Sequence, residues 1–206
     1  MSNVIIIGIA GGSGSGKTRL VKNILSELED YNVSSIEVDS YYKDLSHLKF
    51  EDRAKNNFDH PSSFDFELLY NDLNKILNNQ RTKTPLYNYK EHIRNKNDFK
   101  IIENSNVIIL EGILSLYDDK IRQLMSMKIF VDTPSDIRIL RRIKRDVNKR
   151  KRTIECVIEQ YTKTVRPMFK KYVEPTKDFS DVIIPYGGKN KISIDTIVTK
   201  IKNYYK

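Results

Sequence analysis

The segment Gly11-Gly12-Ser13-Gly14-Ser15-Gly16-Lys17-Thr18 constrains this chain more than any other. It fits the pattern G-x-x-x-x-G-K-[ST], and its flanks are those the pattern requires. Residues 4–9 are β-branched and apolar and predict a buried strand. After the glycines, Leu20, Val21, Ile24, Leu25 and Leu28 recur at helical spacing across residues 17–30. A strand, a glycine-rich turn and a helix start in that order make a phosphate cradle. Glycines let successive backbone N–H groups turn inward around an anion. The helix N-terminus adds the positive end of its dipole. Lys17 is placed to reach the outer phosphates of a nucleoside triphosphate, and the Thr18 hydroxyl to bind Mg²⁺. The motif implies triphosphate binding and leaves the reaction open.

The rest of the chain alternates strands and helices. Residues 34–38 predict a second strand ending at Asp39, and residues 107–110, 129–131 and 181–184 three more. Residues 65–78, with Phe66, Leu69, Leu73, Ile76 and Leu77 on one face, predict a helix, as do Ile194, Ile197, Val198 and Ile201 near the end. Residues 85–94 alternate and are aromatic-rich. With a turn at Asn95-Lys96-Asn97-Asp98 and a return through residues 99–102, they predict a hairpin. That turn matches the guanine-reading N-K-x-D literally. It precedes the carboxylate-ending strand at 107–111, whereas GTPases place it after, so it is read as a turn. The alternation predicts an α/β fold, a parallel sheet covered on both faces.

Composition narrows the partners. The 206 residues carry a formal charge of +9, yet residues 138–152 hold nine basic side chains against Asp146 alone, leaving the remainder nearly neutral. Charge that concentrated argues against a nucleic-acid-binding surface. No apolar run approaches the roughly 18 residues a spanning helix needs, which predicts no membrane partner. The single cysteine, Cys156, excludes an internal disulfide framework and a cysteine-rich zinc site and predicts a reducing, cytoplasmic setting. The three histidines, His47, His60 and His92, lack ligand-like spacing.

Several residues are candidates for chemistry. Glu111 ends a buried strand, the usual place for a ligand-site residue in an open α/β sheet, and could hold Mg²⁺. Asp39 ends another and could accept the proton of an attacking hydroxyl. Tyr87 and Tyr89 share one face of their strand. They are either core aromatics or a platform for a flat base. Arg138, Arg142 and Arg145 lie at i, i+4 and i+7, with Arg150 and Arg152 just beyond. Such arginines, closing as a lid, would neutralise the charge on a transferring phosphoryl group and exclude water.

Read together, these stretches resemble the uridine kinase (uridine–cytidine kinase) family, bacterial type, within the P-loop kinase superfamily. The resemblance is carried by residues 8–18, Asp39-Ser40-Tyr41-Tyr42-Lys43-Asp44, Asn57-Phe58-Asp59-His60-Pro61, residues 85–94, 109–114 and 130–134, Arg141-Arg142-Ile143-Lys144-Arg145-Asp146-Val147, Gln160-Tyr161 through Phe169, and residues 181–185. It runs nearly end to end. It implies one domain over residues 1–206: a five-stranded parallel sheet with helices on both faces, a hairpin lobe near 84–102 and an arginine-rich helical lid near 138–153. It implies phosphoryl transfer from ATP or GTP, with Mg²⁺, to the 5′-hydroxyl of uridine or cytidine in pyrimidine salvage, by a homotetramer. By position, Asp39 would be the base, with Lys17, Arg150 and Arg152 also catalytic. Gly11, Gly12, Ser13, Gly14, Ser15, Gly16, Lys17, Thr18 and Arg145 would hold the donor, and Thr18 and Glu111 would serve the metal. Tyr42, Phe58, Asp59, Tyr87, Tyr89, His92, Arg142 and Gln160 would hold the nucleoside. The chain departs from the family where Lys151 replaces a common glycine and Tyr186 a common arginine. The alternatives are a phosphoribulokinase- or pantothenate-kinase-type enzyme, whose acceptors lack a pyrimidine, and a nucleic-acid-associated NTPase.

Overall fold

The computed structural model describes residues 4–204. The first half of the chain runs β1 (Ile5–Ala10), α1 (Lys17–Ser26), β2 (Val33–Glu37), α2 (Phe50–Ala54), α3 (Phe66–Leu77), β3 (Thr82–Asn88) and β4 (Ile93–Ile102). The second half runs β5 (Val107–Glu111), α4 (Asp119–Gln123), β6 (Met125–Asp132), α5 (Ser135–Arg150), α6 (Ile154–Gln160), α7 (Arg166–Met168), β7 (Val182–Pro185) and α8 (Lys191–Asn203). Five strands form a parallel sheet in the order β2-β5-β1-β6-β7, and β3 and β4 form a separate antiparallel hairpin. This is the α/β architecture read from the sequence.

The alternation of side chains across each strand decides how the sheet is covered. Ile7 and Ile9 of β1, with Ile109 and Val131, pack against Leu20, Val21, Ile24 and Leu28 of α1 and its loop and Ile194, Ile197, Val198 and Ile201 of α8. Ile6 and Ala10, with Ile108, Leu110 and Phe130, pack against Leu69, Leu73 and Ile76 of α3 and Ile121 of α4. Leu20, Ile24, Ile7, Ile9 and Ile109 have no solvent exposure. Burial of each such side chain contributes about 1.5–3 kcal/mol. Helix starts follow their capping residues. Asp65, Asp118, Thr153 and Asn190 each accept a backbone N–H at the starts of α3, α4, α6 and α8. Helix α1 has no side-chain cap, only Gly16 in the left-handed conformation at φ 100°. Its first N–H groups therefore remain available for an anion.

The hairpin turns elsewhere than predicted. Asn95-Lys96-Asn97-Asp98 lies inside β4, and the reversal falls at residues 89–92. The Asn88 side chain accepts the N–H groups of Lys90 and Glu91, and His92 closes the turn at φ 52°. A local side-chain-to-backbone turn of this kind competes successfully with the polar run downstream. Residues beyond α6 hold a second departure: a continuous irregular helix passes through wide π turns at Tyr161–Val165 and Phe169–Val173. Strand β2 also stops at Glu37, so Asp39 sits in a following 3₁₀ turn, Val38–Tyr41, instead of ending the strand. Among the described residues, no helix is long and apolar enough to cross a membrane.

Candidate active site

The C-terminal ends of β1, β2 and β5 point into one cavity of about 600 Å³. The turn after β1 forms its floor. Gly11 has φ +144°, and a side-chain carbon there would come within 2.5 Å of the Val131 carbonyl oxygen. Only glycine permits that path. Ser13, Gly14, Gly16, Lys17 and Thr18 line the cavity. Gly11, Gly12 and Ser15 stand behind it: Lys17 Nζ donates to the Gly11 and Gly12 carbonyls at 2.9 and 3.3 Å. Burial lowers the Lys17 pKa, opposed by the negative charges of Glu111 and Asp39. The lysine is thus held against the loop backbone, and its charge has two carboxylates as near counterparts.

Three acidic residues gather opposite. Glu37 and Glu111 are register partners at the ends of adjacent strands, and Asp39 follows two residues after β2. Thr18 Oγ1 donates to Glu111 Oε2 at 3.2 Å. Burial pushes Glu111 up to about 7, against the pull of Lys17. Burial likewise raises Asp39 to about 6, with Lys17 opposing and Glu37 adding to the shift. Asp39 Oδ1 is buried and has no hydrogen-bond partner. A buried carboxylate oxygen left without a donor costs free energy and is positioned to receive a proton.

The arginine segment is organised by Asp146, whose side chain has no solvent exposure. Arg145 Nε donates to it at 2.8 Å, and Arg142, Arg150 and Arg152 approach it at 3.6, 3.7 and 3.9 Å. Burial alone would raise Asp146, but the hydrogen bond from Arg145 and the surrounding positive charges outweigh it and hold the carboxyl below its ordinary value. Gln160 Oε1 accepts from both Arg142 Nη2 and Arg152 Nη1 at 2.8 Å, and Arg142 Nη1 donates to Ser13 Oγ at 2.8 Å. Arg145 and Arg150 line the cavity, whereas Arg142, Arg152 and Gln160 form a layer beside it. The expected arginine face divides. Arg138 is 5% exposed, donates to the Thr133 carbonyl at 3.0 Å and lies 3.8 Å from the centre of the Phe169 ring. It braces the fold, and Arg141 lines the cavity in its place, donating to the Ser15 carbonyl at 3.1 Å.

An aromatic cluster adjoins the cavity. Tyr42 packs edge-on against Phe58 and Tyr87, with ring centres 5.1 Å apart in each case, and His92 stacks on Phe58 at 4.9 Å. Tyr87 is a member of the hydrophobic core, while Tyr89 lines the cavity and hydrogen-bonds Glu37 at 3.4 Å. Tyr87 is thus a core aromatic that also joins the cluster, and Tyr89 faces the cavity. The Tyr87 and Tyr89 rings meet at 5.4 Å, which joins cluster to cavity. Burial and the charges of Arg152 and Arg53 lower the His92 pKa, so its ring is neutral near pH 7. Asp59 lies close enough to Arg142, Arg145 and Arg150 for them to oppose the rise that burial imposes on it.

Glu37, Arg141 and Asp146 were not singled out from the sequence. Glu37 carried the signal of a carboxylate at a strand's end, and Asp146 that of the lone acid in a basic run. Arg141, at i+3 from Arg138, shares the face read for Arg138, Arg142 and Arg145, so helical spacing was the signal that could have found it.

Comparison with known proteins accords with this geometry. The model of the "Phosphoribulokinase / Uridine kinase family" matches residues 6–193. The chain is 52% identical over 198 residues to "Uridine kinase" of Halalkalibacterium halodurans, covering 96% of this chain and 93% of that protein. It is 49% identical over 200 residues to "Uridine kinase" of Bacillus subtilis, covering 97% and 94%. Among solved structures, phosphoribulokinase from Rhodobacter spheroides superposes with a TM-score of 0.65 at 17% identity, covering 90% of this chain and 71% of that one; that likeness bears on the fold. With a family match over most of its length and relatives at about half identity, the chain belongs to the phosphoribulokinase/uridine kinase family.

Proposed function

We propose that this protein is a pyrimidine-nucleoside kinase of the salvage route, transferring the γ-phosphoryl group of ATP or GTP to the 5′-hydroxyl of uridine, with cytidine as a second acceptor. The observation that carries the chemistry is the placement of Asp39, with its unpartnered oxygen, in the same cavity as Lys17 and Thr18. The acceptor's identity rests on the near-full-length likeness to uridine kinases. The hydroxyl oxygen forms a bond to the γ-phosphorus as the bond to the β,γ-bridging oxygen breaks. The hydroxyl proton passes to the Asp39 carboxylate, and the nucleoside diphosphate leaves. Lys17 holds the β- and γ-phosphates, and its release from the Gly11 and Gly12 carbonyls accompanies donor binding. Arg145 and Arg150 meet the charge on the transferring group. Asp59 and Arg142 hold the ribose hydroxyls, and Tyr42, Phe58, Tyr87, Tyr89 and His92 surround the base.

Thr18 and Glu111 present a hydroxyl and a carboxylate, hard oxygen donors already 3.2 Å apart on the cavity wall, a set that suits Mg²⁺ completed by phosphate oxygens and water. The metal, when bound, neutralises phosphate charge. The working form is a homotetramer in the cytoplasm, testable by light scattering of the purified protein and by fractionation. A phosphoribulokinase-type acceptor has no ring to occupy the aromatic cluster, which disfavours that reading.

The test is a screen of nucleosides with ATP or GTP and Mg²⁺, reading nucleoside monophosphate. UMP and CMP are the expected products. Adenosine and guanosine should be poor acceptors, because a pocket built to bond one base edge rejects another strongly. Phosphorylation of adenosine as fast as uridine removes the pyrimidine assignment.

A further inference from the structure

Arg53 has entered so far only as a charge acting on His92. It belongs to the short helix α2, and its Nε is buried without a hydrogen bond. Its guanidinium carbon lies 5.9 Å from the centre of the Phe50 ring, a cation–π contact that satisfies no N–H. Tyr87 Oη is also buried and unpartnered. Arg53 is the charge that weighs most on Tyr87 and, after Arg152, the one that weighs most on His92. His92 is held in place by stacking on Phe58 and by its left-handed backbone in the hairpin turn. Phe50 joins Arg53 to His92, with the two rings 6.0 Å apart, and Phe58 joins His92 to Tyr87, so both orphaned atoms belong to residues set around the same rings as His92. A guanidinium has five donors and no acceptor, so what completes its bonding must bring lone pairs. Leaving such a donor buried and unpartnered is costly, which makes a ligand the natural partner.

The reading of the site as a nucleoside pocket fixes which part of the ligand arrives there. Asp39 stands in the cavity with Lys17, and Arg142, which opposes the rise in Asp59, donates to Ser13 of the glycine turn, whereas Arg53 rests on Phe50, whose ring lies 6.0 Å from that of His92 in the hairpin turn. The sugar and its 5′-hydroxyl belong beside those carboxylates. Arg53 therefore faces the end of the base remote from the sugar. There uracil presents the O4 acceptor and cytosine the N4 amino donor.

Resting on the proposed nucleoside-kinase reading, we infer that Arg53 is a specificity-determining residue that donates to the exocyclic group at C4 of the pyrimidine and so favours uridine over cytidine. An N4 amino group in the same place meets a cation that cannot accept its hydrogens.

The test compares kcat/KM for uridine and cytidine in the wild-type protein, Arg53→Gln and Arg53→Lys. Glutamine can present either its carbonyl or its amide N–H, so Arg53→Gln should lower the uridine-to-cytidine ratio about 10-fold or more, the range of one hydrogen bond to a charged group. Arg53→Lys should retain most of the ratio, because the cation and a donor remain. The wild-type protein gives a reading that needs no variant: pyrimidin-2-one riboside, which lacks the C4 group, should fall about 10-fold below uridine. An equal loss for both nucleosides in Arg53→Gln, an unchanged ratio, or full activity with the pyrimidinone overturns the role of Arg53 and leaves the kinase reading intact. Wild-type protein that phosphorylates neither uridine nor cytidine overturns the kinase reading and this inference with it.

Discussion

At the scale of single residues, function is set against stability in the cavity, and Asp39 shows it. Its pKa in the folded protein is about 6, above the ordinary 3.8, because burial penalises the charged form. A carboxylate with a raised folded pKa costs stability in full above that value, and the cost shrinks as pH falls from there and is gone below the unfolded value. Asp39→Asn should therefore stabilise the ligand-free protein at pH 7.5, by on the order of 2–3 kcal/mol at 1.36 kcal/mol per unit, with the gain falling to about 1 kcal/mol at pH 4.5 and little left at pH 3. The same change should lower kcat by about 10²- to 10⁴-fold, the contribution of a general base. Wild-type kcat/KM should fall as pH drops through about 6, where the base becomes protonated. Thermal unfolding and pH profiles at saturating Mg²⁺ check all three. Full recovery of turnover by excess Mg²⁺ would make Asp39 a metal-site residue instead. Lys151 carries a second residue-scale strain. It ends α5 at φ 56°, a conformation that suits glycine. Lys151→Gly should stabilise the protein by up to about 1 kcal/mol, since a non-glycine residue there costs about 1–2 kcal/mol and glycine's extra unfolded-state entropy returns part of it. Chemical denaturation measures the difference, and a loss of stability would contradict the strain.

At the scale of elements, what was legible in the sequence tracks how local the determining interaction is. The strand–turn–helix at residues 5–26 was readable because the apolar run, the glycines and the helical spacing are contiguous. The covered parallel sheet followed from the alternation of such units. The hairpin reversal was not readable from polarity. Asn88 sets it with two backbone hydrogen bonds, and the more polar Asn95-Lys96-Asn97-Asp98 lies within β4 at the irregularity where the register shifts. The arginine helix was legible as a helix, but its division of labour was not. Arg138 turns inward onto Phe169, a residue 31 positions later, and Asp146 gathers four arginines from α5 and the turn beyond it. That division gives a prediction for this element. Arg150 lines the cavity, whereas Arg152 binds Gln160 in the layer beside it. Arg150→Ala should mainly lower kcat, by about 10³-fold if it meets the transferring phosphoryl group. Arg152→Ala should mainly raise KM for the nucleoside. Steady-state kinetics with each substrate varied separates the two, and matching effects of both variants on kcat would show that the cluster acts as one unit.

At the scale of the whole molecule, the candidate site is assembled from segments that only the fold brings together: the glycine turn, the end of β2, the hairpin tip, the end of β5 and the end of α5. The sequence allowed each segment to be suspected separately, but their meeting depends on strand order, with β5 between β2 and β1. The same assembly explains where the excess charge resides. Four arginines surround one buried carboxylate, so they repel one another unless an anion arrives. Arg150 feels this directly: burial and then repulsion from Arg145 lower its pKa, with Asp146 opposing. Donor binding should therefore draw on relief of this repulsion, and nucleoside binding should not. A ligand at 100 times its dissociation constant stabilises by about 2.7 kcal/mol through mass action, which for a chain of this length is a rise in Tm of about 5–10 °C. At matched multiples of their dissociation constants, that mass-action contribution is the same for nucleoside and triphosphate. Relief of the arginine repulsion enters through the triphosphate's affinity, so it should weaken with salt while nucleoside affinity changes little. Asp146→Asn tests the origin of the effect. It removes the carboxylate that holds the arginines in place, which should lower the Tm of the free protein and narrow the gap between free and triphosphate-bound protein at 0.5 M salt. A triphosphate affinity independent of salt in the wild-type protein would mean that the arginine cluster is already neutralised by Asp146 and its neighbours, and that the charge concentrated in residues 138–152 serves the fold and not the donor.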